Sequence, residues 1–412
     1  MPQLLRTNLL LEMVLAHLRP NPFRIVNVLR WRLCGRQNLV RELVDRNELD
    51  ADHLPLDETV LEQADQAARQ GIPVLLEIAD DRRIAERIAA RITLFDGVVD
   101  GEASATTAPL PRRRVAPGTA LQALVAGSRP HQWVKNMLVL APIMLAGKLG
   151  NLAALADTML AFVAMCLVAS ATYLVNDIWD LSDDRRHWSK RSRPLASGAL
   201  PIGLALVAIP IGIGMGLGLA AMVSPGSAAV LVGYLLLTIA YSLVLKRLAL
   251  VDGIILAALY AARLALGVEA ASVPPSPWLF VFAMFLFASL SYAKRHVEIG
   301  RMQRLKGTTI NGRGYRVGDA PLVLAVGVSA GVGAVLILVL YIINDAFAQA
   351  FYGSKAWLWG LPPLLFLIVS RIWLTCHRGE MNDDPVTFVL RDRMSLGMGA
   401  LMLACFVLAC IP

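Results

Sequence analysis

The stretch YLVNDIWDLSDD, residues 173–184, is where a long apolar run ends in a cluster of acids. Asp177, Asp180 and Asp184 are spaced i, i+3 and i+7, so they share one face if the helix continues through them. Three clustered carboxylates repel one another unless a cation neutralises them. Mg²⁺ prefers carboxylate oxygens and keeps waters that a phosphate can replace. We therefore expect a catalytic metal site here, with Asn176 adding a neutral oxygen; the alternative is three solvated acids at a membrane boundary.

Composition points to a membrane protein. The chain has 412 residues, is 56% hydrophobic and has a mean hydropathy of +0.57. Charged residues make up 17%, against about 25% in an average soluble domain. One globular core cannot hide so much apolar surface, so a bilayer is the expected solvent for much of the chain. The five cysteines form no C-x-x-C pair, which favours buried spectator thiols.

Apolar runs from residue 133 onward predict nine spanning helices, each near the length that a bilayer core requires. They lie near Trp133–Leu149, Ala154–Asp177, Leu200–Met222, Ala228–Leu245, Val251–Val268, Trp278–Lys294, Pro321–Ile343, Trp357–Leu374 and Met394–Ile411.

Loop charges predict the orientation of these helices. The loops after the second, sixth and eighth runs are rich in arginine and lysine, whereas Lys148 and Lys355 are the basic residues of the opposite loops. By the positive-inside rule, the basic loops and the N-terminal region are cytosolic in the cytoplasmic (inner) membrane, and the C-terminus is outside. Topology thereby accounts for the net charge of +8, so we expect no nucleic-acid partner.

The N-terminal region has a different character. Residues 1–118 contain frequent charges and no run of spanning length. Residues 72–78 and 94–99 resemble short strands, and residues 81–92 resemble an amphipathic helix between them, a βαβ-like fragment. The Ala-, Thr- and Pro-rich residues 101–118 are typical of a linker. The expected fold is an all-α multi-pass membrane domain over residues 119–412, preceded by a small α/β cytosolic domain over residues 1–118.

Further polar residues near the predicted cytosolic helix ends are candidates for binding substrate phosphates, because arginine and lysine clamp phosphate oxygens. Arg263 lies deep in an apolar run, where a charge needs a partner or a water-filled cavity. Simpler explanations are topology signals for the loop arginines, a Glu298–Lys294 salt bridge, and an interfacial anchor at Lys135. The candidates are Lys135, Asn136, Asn176, Arg191, Arg193, Tyr241, Lys246, Arg263, Lys294, Arg295 and Glu298.

The pattern N-D-x-x-D-x-x-x-D at residues 176–184 resembles the first aspartate motif of the UbiA superfamily of intramembrane prenyltransferases. Further stretches are similar to its decaprenyl-phosphate phosphoribosyltransferase branch: RPHQWVKN at 129–136, KRSRP at 190–194, AKR at 293–295 with Glu298, and LRDR at 390–393. The resemblance covers residues 125 to 412. It implies a UbiA-like bundle of about nine helices and an Mg²⁺-dependent site with one or two ions.

One departure from the prenyltransferase pattern bears on the donor. Those enzymes carry a second acidic motif where this chain has Lys294, Arg295 and Glu298. Bases suit a donor with an additional phosphate, such as phosphoribosyl pyrophosphate. The resemblance therefore implies transfer of 5-phosphoribose to a polyprenyl (decaprenyl-like) phosphate in cell-envelope biosynthesis, at a site that these residues share with the aspartates. The sequence leaves lipid length and oligomeric state open.

Two other functions stay open at this point. A UbiA-type prenyltransferase would move a prenyl group from a prenyl diphosphate to an aromatic or other acceptor, and would need the same aspartates. A transporter or lipid-binding protein would need no chemistry, but internal repeats are not evident and the acids lie at a helix end rather than at midplane.

The N-terminal region resembles a haloacid-dehalogenase-like phosphatase domain. Residues 4–9 are similar to the segment that follows the nucleophile motif of that family, but no D-x-D-x-T precedes them, and the strand ending at residues 77–80 lacks the expected Thr or Ser. We expect a degenerate domain without hydrolytic activity.

Overall fold

The structure is a computed structural model that describes residues 4–46, 49–77, 81–99, 117–187, 190–305, 313–346, 351–381, 385–389 and 391–411. Two short strands, β1 (Leu75–Glu77) and β2 (Gly97–Val99), lie among many helices. The helices are α1 (Leu9–Leu18), α2 (Ile25–Leu33), α3 (Arg36–Arg46), α4 (Glu58–Arg69), α5 (Arg82–Arg91), α6 (Pro117–Gly127), α7 (Ala141–Leu145), α8 (Leu152–Trp179), α9 (Leu181–Arg186), α10 (Ile202–Val223), α11 (Pro225–Leu243), α12 (Val251–Ala270), α13 (Pro277–Arg304), α14 (Ala320–Tyr341), α15 (Leu361–Arg378), α16 (Pro385–Val389) and α17 (Arg393–Cys410).

Eight segments within the described ranges are long and apolar enough to cross a membrane. They are α8, α10, α11, α12 and α13, then residues 317–346 around α14, residues 355–378 around α15, and finally α17. Each matches one of the expected spanning helices, with end points displaced by a few residues or, for α13, extended well beyond the apolar run. The protein is therefore an all-α multi-pass membrane protein with a small N-terminal α/β part.

The first expected spanning helix, residues 133–149, is wrong as a single helix. Residues 130–140 form a 3₁₀ helix, and α7 that follows has only five residues. Pro142 has no amide hydrogen to continue a helical ladder. Gly147 then turns the chain at φ +65°, against the ring of Phe351, and a β-carbon there would lie 2.2 Å from that ring. The apolar composition was recognised correctly, but these breaks prevent one long helix.

The chain forms two compact units. The first comprises Met1–His131 and Ala169–Ile213, and the second comprises Gln132–Val168 and Gly214–Pro412. The first unit therefore contains the aspartate-rich end of α8 together with the N-terminal region. The second unit contains most of the apolar helices.

The βαβ prediction for the N-terminal region is confirmed. Strands β1 and β2 pair in parallel, with Leu75 opposite Gly97 and Glu77 opposite Val99. Helix α5 connects them, and its N-cap Asp81 accepts a hydrogen bond from the Arg83 amide. Residues 78–80, at the end of the first expected strand, and the linker segment 100–116 lie outside the described residues.

Helix α1 connects two hydrophobic cores of the first unit because it is apolar on several faces. Met13 packs in a core with Leu39, Leu43 and residues of α5. Leu11 and Leu15, on another face, pack against a core that includes Leu174 and Ile178 of α8 and Leu200. The N-terminal region and residues 173–184, which we call the aspartate segment, are thus built into one packed structure.

The second unit is a helix bundle with Tyr292 of α13 at its centre. Tyr292 is 2% exposed and packs against two glycines, Gly253 of α12 and Gly327 of α14. A β-carbon on Gly253 would lie 2.5 Å from the Tyr292 ring, so only glycine permits this approach. The Tyr292 hydroxyl donates a hydrogen bond to the Leu250 carbonyl. This packing fixes the part of α13 that carries Lys294 and Arg295 relative to the start of α12.

Candidate active site

The three aspartates lie where α8 ends and α9 begins. Asp180 is the residue between the two helices, but its amide still donates to the Asn176 carbonyl at 2.9 Å. The Asp184 amide in turn donates to the Asp180 carbonyl at 2.8 Å. These bonds keep the i→i−4 pattern of the backbone through the junction. Asp177 and Asp184 are 3% and 1% exposed, and Asp180 is half-buried.

Cationic side chains surround the two buried aspartates. Arg129 donates from Nη2 to both carboxylate oxygens of Asp177, at 2.5 and 2.7 Å. Arg193 uses a single nitrogen, Nη1, to reach Asp177 Oδ1 at 3.2 Å and Asp184 Oδ2 at 2.5 Å. Lys190 Nζ lies 3.6 Å from Asp184 Oδ1. Three cations thus face two buried carboxylates, and we call this group the aspartate cluster.

Arg129 reaches the aspartate cluster through an unusual backbone conformation. Its φ is +52°, a left-handed value that costs a residue with a β-carbon on the order of 1 kcal/mol or more. The guanidinium lies 5.3 Å from the Tyr173 ring centre as well as on Asp177. These contacts hold the strained turn in place. Sequence reasoning quoted Arg129 as part of a motif but did not select it as a site residue.

The aspartate cluster fits a divalent cation by its chemistry. Asp184 Oδ1 is buried and has no hydrogen-bond partner, a costly state for a carboxylate oxygen. A single guanidinium nitrogen joins Asp177 to Asp184, so a cation already occupies the space between two acids. Within the described part of the chain, no three acidic, His or Cys side chains are gathered as metal ligands. The three-aspartate ligand set therefore stays a prediction, and the pair Asp177 and Asp184 is what the structure brings together.

Two arginines at the end of α9 bind the N-terminal region instead of the aspartates. Arg185 donates two hydrogen bonds to the carboxylate of Glu12, at 2.6 and 2.9 Å, and a third to the Ala196 carbonyl. Arg186 pairs with Asp50 at 2.6 Å. Burial alone would raise the pKa of Asp50, but hydrogen bonds from His53 and Arg186 lower it below its usual value. Sequence reasoning missed Glu12, because its partner lies 173 residues away.

A second group of charges, the Asp252 cluster, forms in the second unit around the completely buried Asp252. Arg295 Nε donates to Asp252 Oδ2 at 2.6 Å, and its Nη1 donates to Glu298 Oε2 at 2.7 Å. Arg313 lies 3.5 Å from Glu298 and 3.6 Å from Asp252. The Tyr315 hydroxyl also donates to Asp252, and burial together with this bond raises the pKa of Tyr315 well above its usual range.

The Asp252 cluster changes the roles expected from sequence. Arg295 is 1% exposed and its guanidinium is bound by Asp252, Glu298 and Tyr241, so it is enclosed. Glu298 forms an ion pair with Arg295 at 2.7 Å. Arg313, read from the sequence only as a topology signal, is the more accessible base at 24% side-chain exposure. Lys294 and Lys246 are half-buried.

Arg263 forms a third group, deep in α12. It donates to Asn136 Oδ1 at 2.9 Å, to the Tyr234 hydroxyl at 3.1 Å and to the Leu259 carbonyl at 2.5 Å. The rings of Tyr234 and Tyr260 lie 5.0 and 5.3 Å from its guanidinium carbon. The expectation that Arg263 needs a partner is confirmed, and Asn136 is one of its partners. Eleven residues separate it from Asp252, about 16 Å along a helix, so the two groups are distinct.

The remaining candidates are more peripheral. Arg191 is exposed, Asn176 and Lys135 are half-buried, and Leu390 of the LRDR motif lies outside the described residues. Within that motif, Asp392 pairs with Arg371 at 2.7 Å and caps α17. The hydrogen bond from Arg371 holds the pKa of Asp392 well below its usual range. This motif therefore has a visible structural role at the start of α17.

Comparison with known proteins decides the family. The profile of the UbiA prenyltransferase family matches residues 137–396, well over half of the chain. This chain belongs to the UbiA prenyltransferase family. It is a multi-pass membrane protein of that family, and the resemblance drawn from the aspartate motif is confirmed.

Individual relatives refine this UbiA-family assignment. The chain is 38% identical over 281 residues to the uncharacterized protein y4nM of Sinorhizobium fredii, covering 68% of this chain and 54% of that protein. It is 37% identical over 189 residues to the decaprenyl-phosphate phosphoribosyltransferase of Mycobacterium tuberculosis, covering 44% of this chain and 63% of that protein. The chain thus spans between about half and two thirds of the length of these two curated relatives.

A solved structure shows the same fold. A UbiA homolog from Archaeoglobus fulgidus, bound to GPP and Mg²⁺, superposes with a TM-score of 0.54 at 14% sequence identity. The match covers 70% of this chain and 98% of the homolog. At this identity the likeness establishes the fold of the UbiA-family part and nothing about substrate.

Proposed function

We propose that this UbiA-family protein transfers 5-phosphoribose from phosphoribosyl pyrophosphate to a polyprenyl phosphate, releasing diphosphate. The observation that carries the proposal is the aspartate cluster, with two buried carboxylates facing three cationic side chains. With one Mg²⁺ added, the group carries a net positive charge suited to a diphosphate. Similarity to a decaprenyl-phosphate phosphoribosyltransferase, and bases in place of the second acidic motif, support the donor.

In this proposal Asp177 and Asp184 hold Mg²⁺, with Asp180 and Asn176 nearby on the same face. The ion would supply positive charge next to the leaving diphosphate. Arg129 and Arg193, whose forks match phosphate oxygens, bind the diphosphate once the carboxylates have another cation. Lys190 adds a third positive charge. The further residues proposed to bind substrate phosphates are Arg191, Lys135, Lys246, Lys294 and Arg313. The residues proposed to position these phosphate-binding side chains are Tyr241, Arg295, Glu298, Asn136 and Arg263.

The proposed reaction is a substitution at the anomeric carbon of the ribose. The bond from that carbon to the diphosphate oxygen breaks, and the electron pair leaves with diphosphate. An oxygen of the lipid phosphate supplies the electron pair of the new C–O bond. That oxygen is already anionic, so no strong general base is required. The positive side chains of the aspartate cluster lower the barrier by stabilising the charge that develops on the leaving group.

We also propose that the aspartate cluster lies on the cytosolic side of the inner membrane. The loop that follows α8 is rich in bases, as the positive-inside rule requires. Glu12 and Asp50 bind Arg185 and Arg186 of that loop, so the N-terminal region lies on the same side. Helix α8 begins on the opposite side, because its 28 residues span a bilayer. The chain must therefore cross once between residues 99 and 152, which gives nine crossings with an outer C-terminus.

A second candidate function is prenyl transfer to an aromatic or other acceptor. The UbiA prenyltransferase profile and the fold of the GPP-bound archaeal homolog favour it. It would require the same aspartates but a prenyl diphosphate as donor.

The test is a transfer assay with purified protein in nanodiscs. Radiolabelled phosphoribosyl pyrophosphate and a polyprenyl phosphate are supplied with Mg²⁺ or with a chelator, and labelled lipid is measured. The proposal predicts Mg²⁺-dependent labelling of the lipid. Parallel reactions contain geranyl or longer prenyl diphosphates and an aromatic acceptor. Consumption of prenyl diphosphate alone would establish the second function and overturn the first.

A further inference from the structure

Helix α2 of the N-terminal region presents an exposed apolar face. Leu33 is 89% exposed, Val26 66% and Leu29 58%, and Ile25 is also exposed. Phe23, two residues before the helix, is 82% exposed. Large apolar side chains that are exposed singly are ordinary, but five within eleven residues form a patch of the kind that marks an interaction surface.

The pattern of α2 is that of an amphipathic helix turned outward. At 100° per residue, Ile25, Val26, Leu29 and Leu33 fall within about 100° of the circumference. Val28 lies outside this arc and is buried in the core of the N-terminal region. Trp31, on the side opposite the stripe, packs against His17 and lies under Arg46. The inward face is therefore already occupied, and the outward apolar stripe is additional.

Arginines border this stripe on both sides. Arg30 and Arg32 are both exposed, and their helical positions flank the apolar residues. The surrounding sequence carries charge of one sign: no acid occurs between Glu12 and Glu42, a segment with six arginines. An apolar stripe rimmed by positive charge is complementary to anionic lipid headgroups above an acyl layer.

We propose that α2 lies in the headgroup layer of an anionic bilayer and anchors the N-terminal region to the membrane surface. The apolar stripe enters the acyl boundary, and Arg30 and Arg32 bind lipid phosphates on either side. Charge of a single sign along the rim favours a lipid surface over a second copy of the chain, because two such rims would repel each other. The proposal is independent of the donor and acceptor of the transferase reaction.

The proposal is tested with a fluorescent probe on full-length protein. Leu29→Cys in a Cys34→Ser background is labelled with an environment-sensitive NBD group; Cys34→Ser alone gives the background labelling. The protein is placed in nanodiscs of phosphatidylcholine with or without about a third phosphatidylglycerol. We expect a blue-shifted emission and quenching by doxyl-labelled lipid in the anionic nanodiscs. The same label at Ile72→Cys, an exposed apolar position outside α2, should report water in both.

Charge variants give the matched control. Replacing Arg30 and Arg32 by Gln should weaken docking by about fivefold for each arginine. The same loss of charge at Arg82 and Arg87, on α5 of the same region, should leave the emission unchanged. Added salt should reproduce the effect of the Arg30 and Arg32 variants, since it screens exposed charges. A water-like emission in anionic nanodiscs overturns the proposal; so does a blue shift without lipid quenching, which would identify a protein partner on this face.

Discussion

The aspartate cluster and the Asp252 cluster contain the same kinds of side chain in opposite arrangements. In the aspartate cluster the acids are buried while Arg129, Arg193 and Lys190 keep 21%, 26% and 43% of their side chains exposed. In the Asp252 cluster Asp252 and Arg295 are both enclosed, while Arg313 keeps 24% of its side chain exposed. Accessible cations can exchange a carboxylate for a substrate phosphate, whereas an enclosed pair cannot do so without opening the core. The first arrangement suits catalysis, and the enclosed Asp252–Arg295 pair suits holding α12 and α13 in register.

The largest expected effect is a loss of transfer activity in variants of the aspartate cluster. Asp177→Asn or Asp184→Asn should reduce transfer by roughly 10³-fold, because the metal and the leaving group lose a charged ligand. The measurement is the transfer assay on protein that elutes as a single species.

Asp183→Asn is the matched control for those variants. Asp183 belongs to the same acidic run, but it is 57% exposed and pairs with Arg19 instead of facing the cluster. Its turnover should remain within a few-fold of the parent protein. Equal losses from Asp183→Asn and Asp184→Asn would show that the cluster geometry does not matter.

The second prediction concerns the stability of the Asp252 cluster. Asp252→Asn removes one of the two carboxylates that pair with the buried Arg295, which should cost about 3–5 kcal/mol. The measurement is thermal unfolding in detergent, with Glu86→Gln as control because the Arg82–Glu86 pair is exposed. A loss of turnover at unchanged stability would instead assign the Asp252–Arg295 pair to substrate binding and remove the contrast between the clusters.

A third prediction concerns the contact between the N-terminal region and the aspartate segment. Glu12→Gln removes the bidentate partner of Arg185, and both side chains are about 5% exposed. Because Arg185 keeps its bond to the Ala196 carbonyl, we expect a loss of stability at the lower end for buried pairs, about 3 kcal/mol. Unfolding of the Glu12→Gln protein, compared with Glu42→Gln on α3, measures it. Unchanged stability of Glu12→Gln would mean that this contact does not hold the two parts together.

The smallest expected effect depends on pH. The pKa of Asp50 is lowered in the folded protein, so its pairing with Arg186 stabilises the fold above the unfolded pKa near 3.8 and is lost as pH falls through the folded value. An exposed pair is worth less than about 1 kcal/mol. Asp50→Asn should therefore lower the unfolding temperature slightly at pH 6 and by less at pH 3. A difference of the same size at both pH values would contradict the assignment.

Much of this arrangement could be predicted from sequence because it depends on local spacing. The shared face of Asp177, Asp180 and Asp184 follows from helical periodicity, and the spanning helices follow from apolar runs. The partners could not be predicted, because Glu12 with Arg185 and Asp252 with Arg295 are brought together by tertiary packing between distant segments. Composition also could not distinguish the broken helices of residues 130–145 from a single spanning helix, since proline and glycine act there through their backbone geometry.

Donor binding without the lipid acceptor tests the central claim most directly. Purified protein is heated with phosphoribosyl pyrophosphate or geranyl diphosphate, each with and without Mg²⁺, and the unfolding temperature is recorded. We predict that phosphoribosyl pyrophosphate raises this temperature only with Mg²⁺, and that Asp177→Asn abolishes the rise. Stabilisation by geranyl diphosphate and none by phosphoribosyl pyrophosphate would contradict the proposed donor, while leaving the aspartate cluster as the metal site of a prenyltransferase.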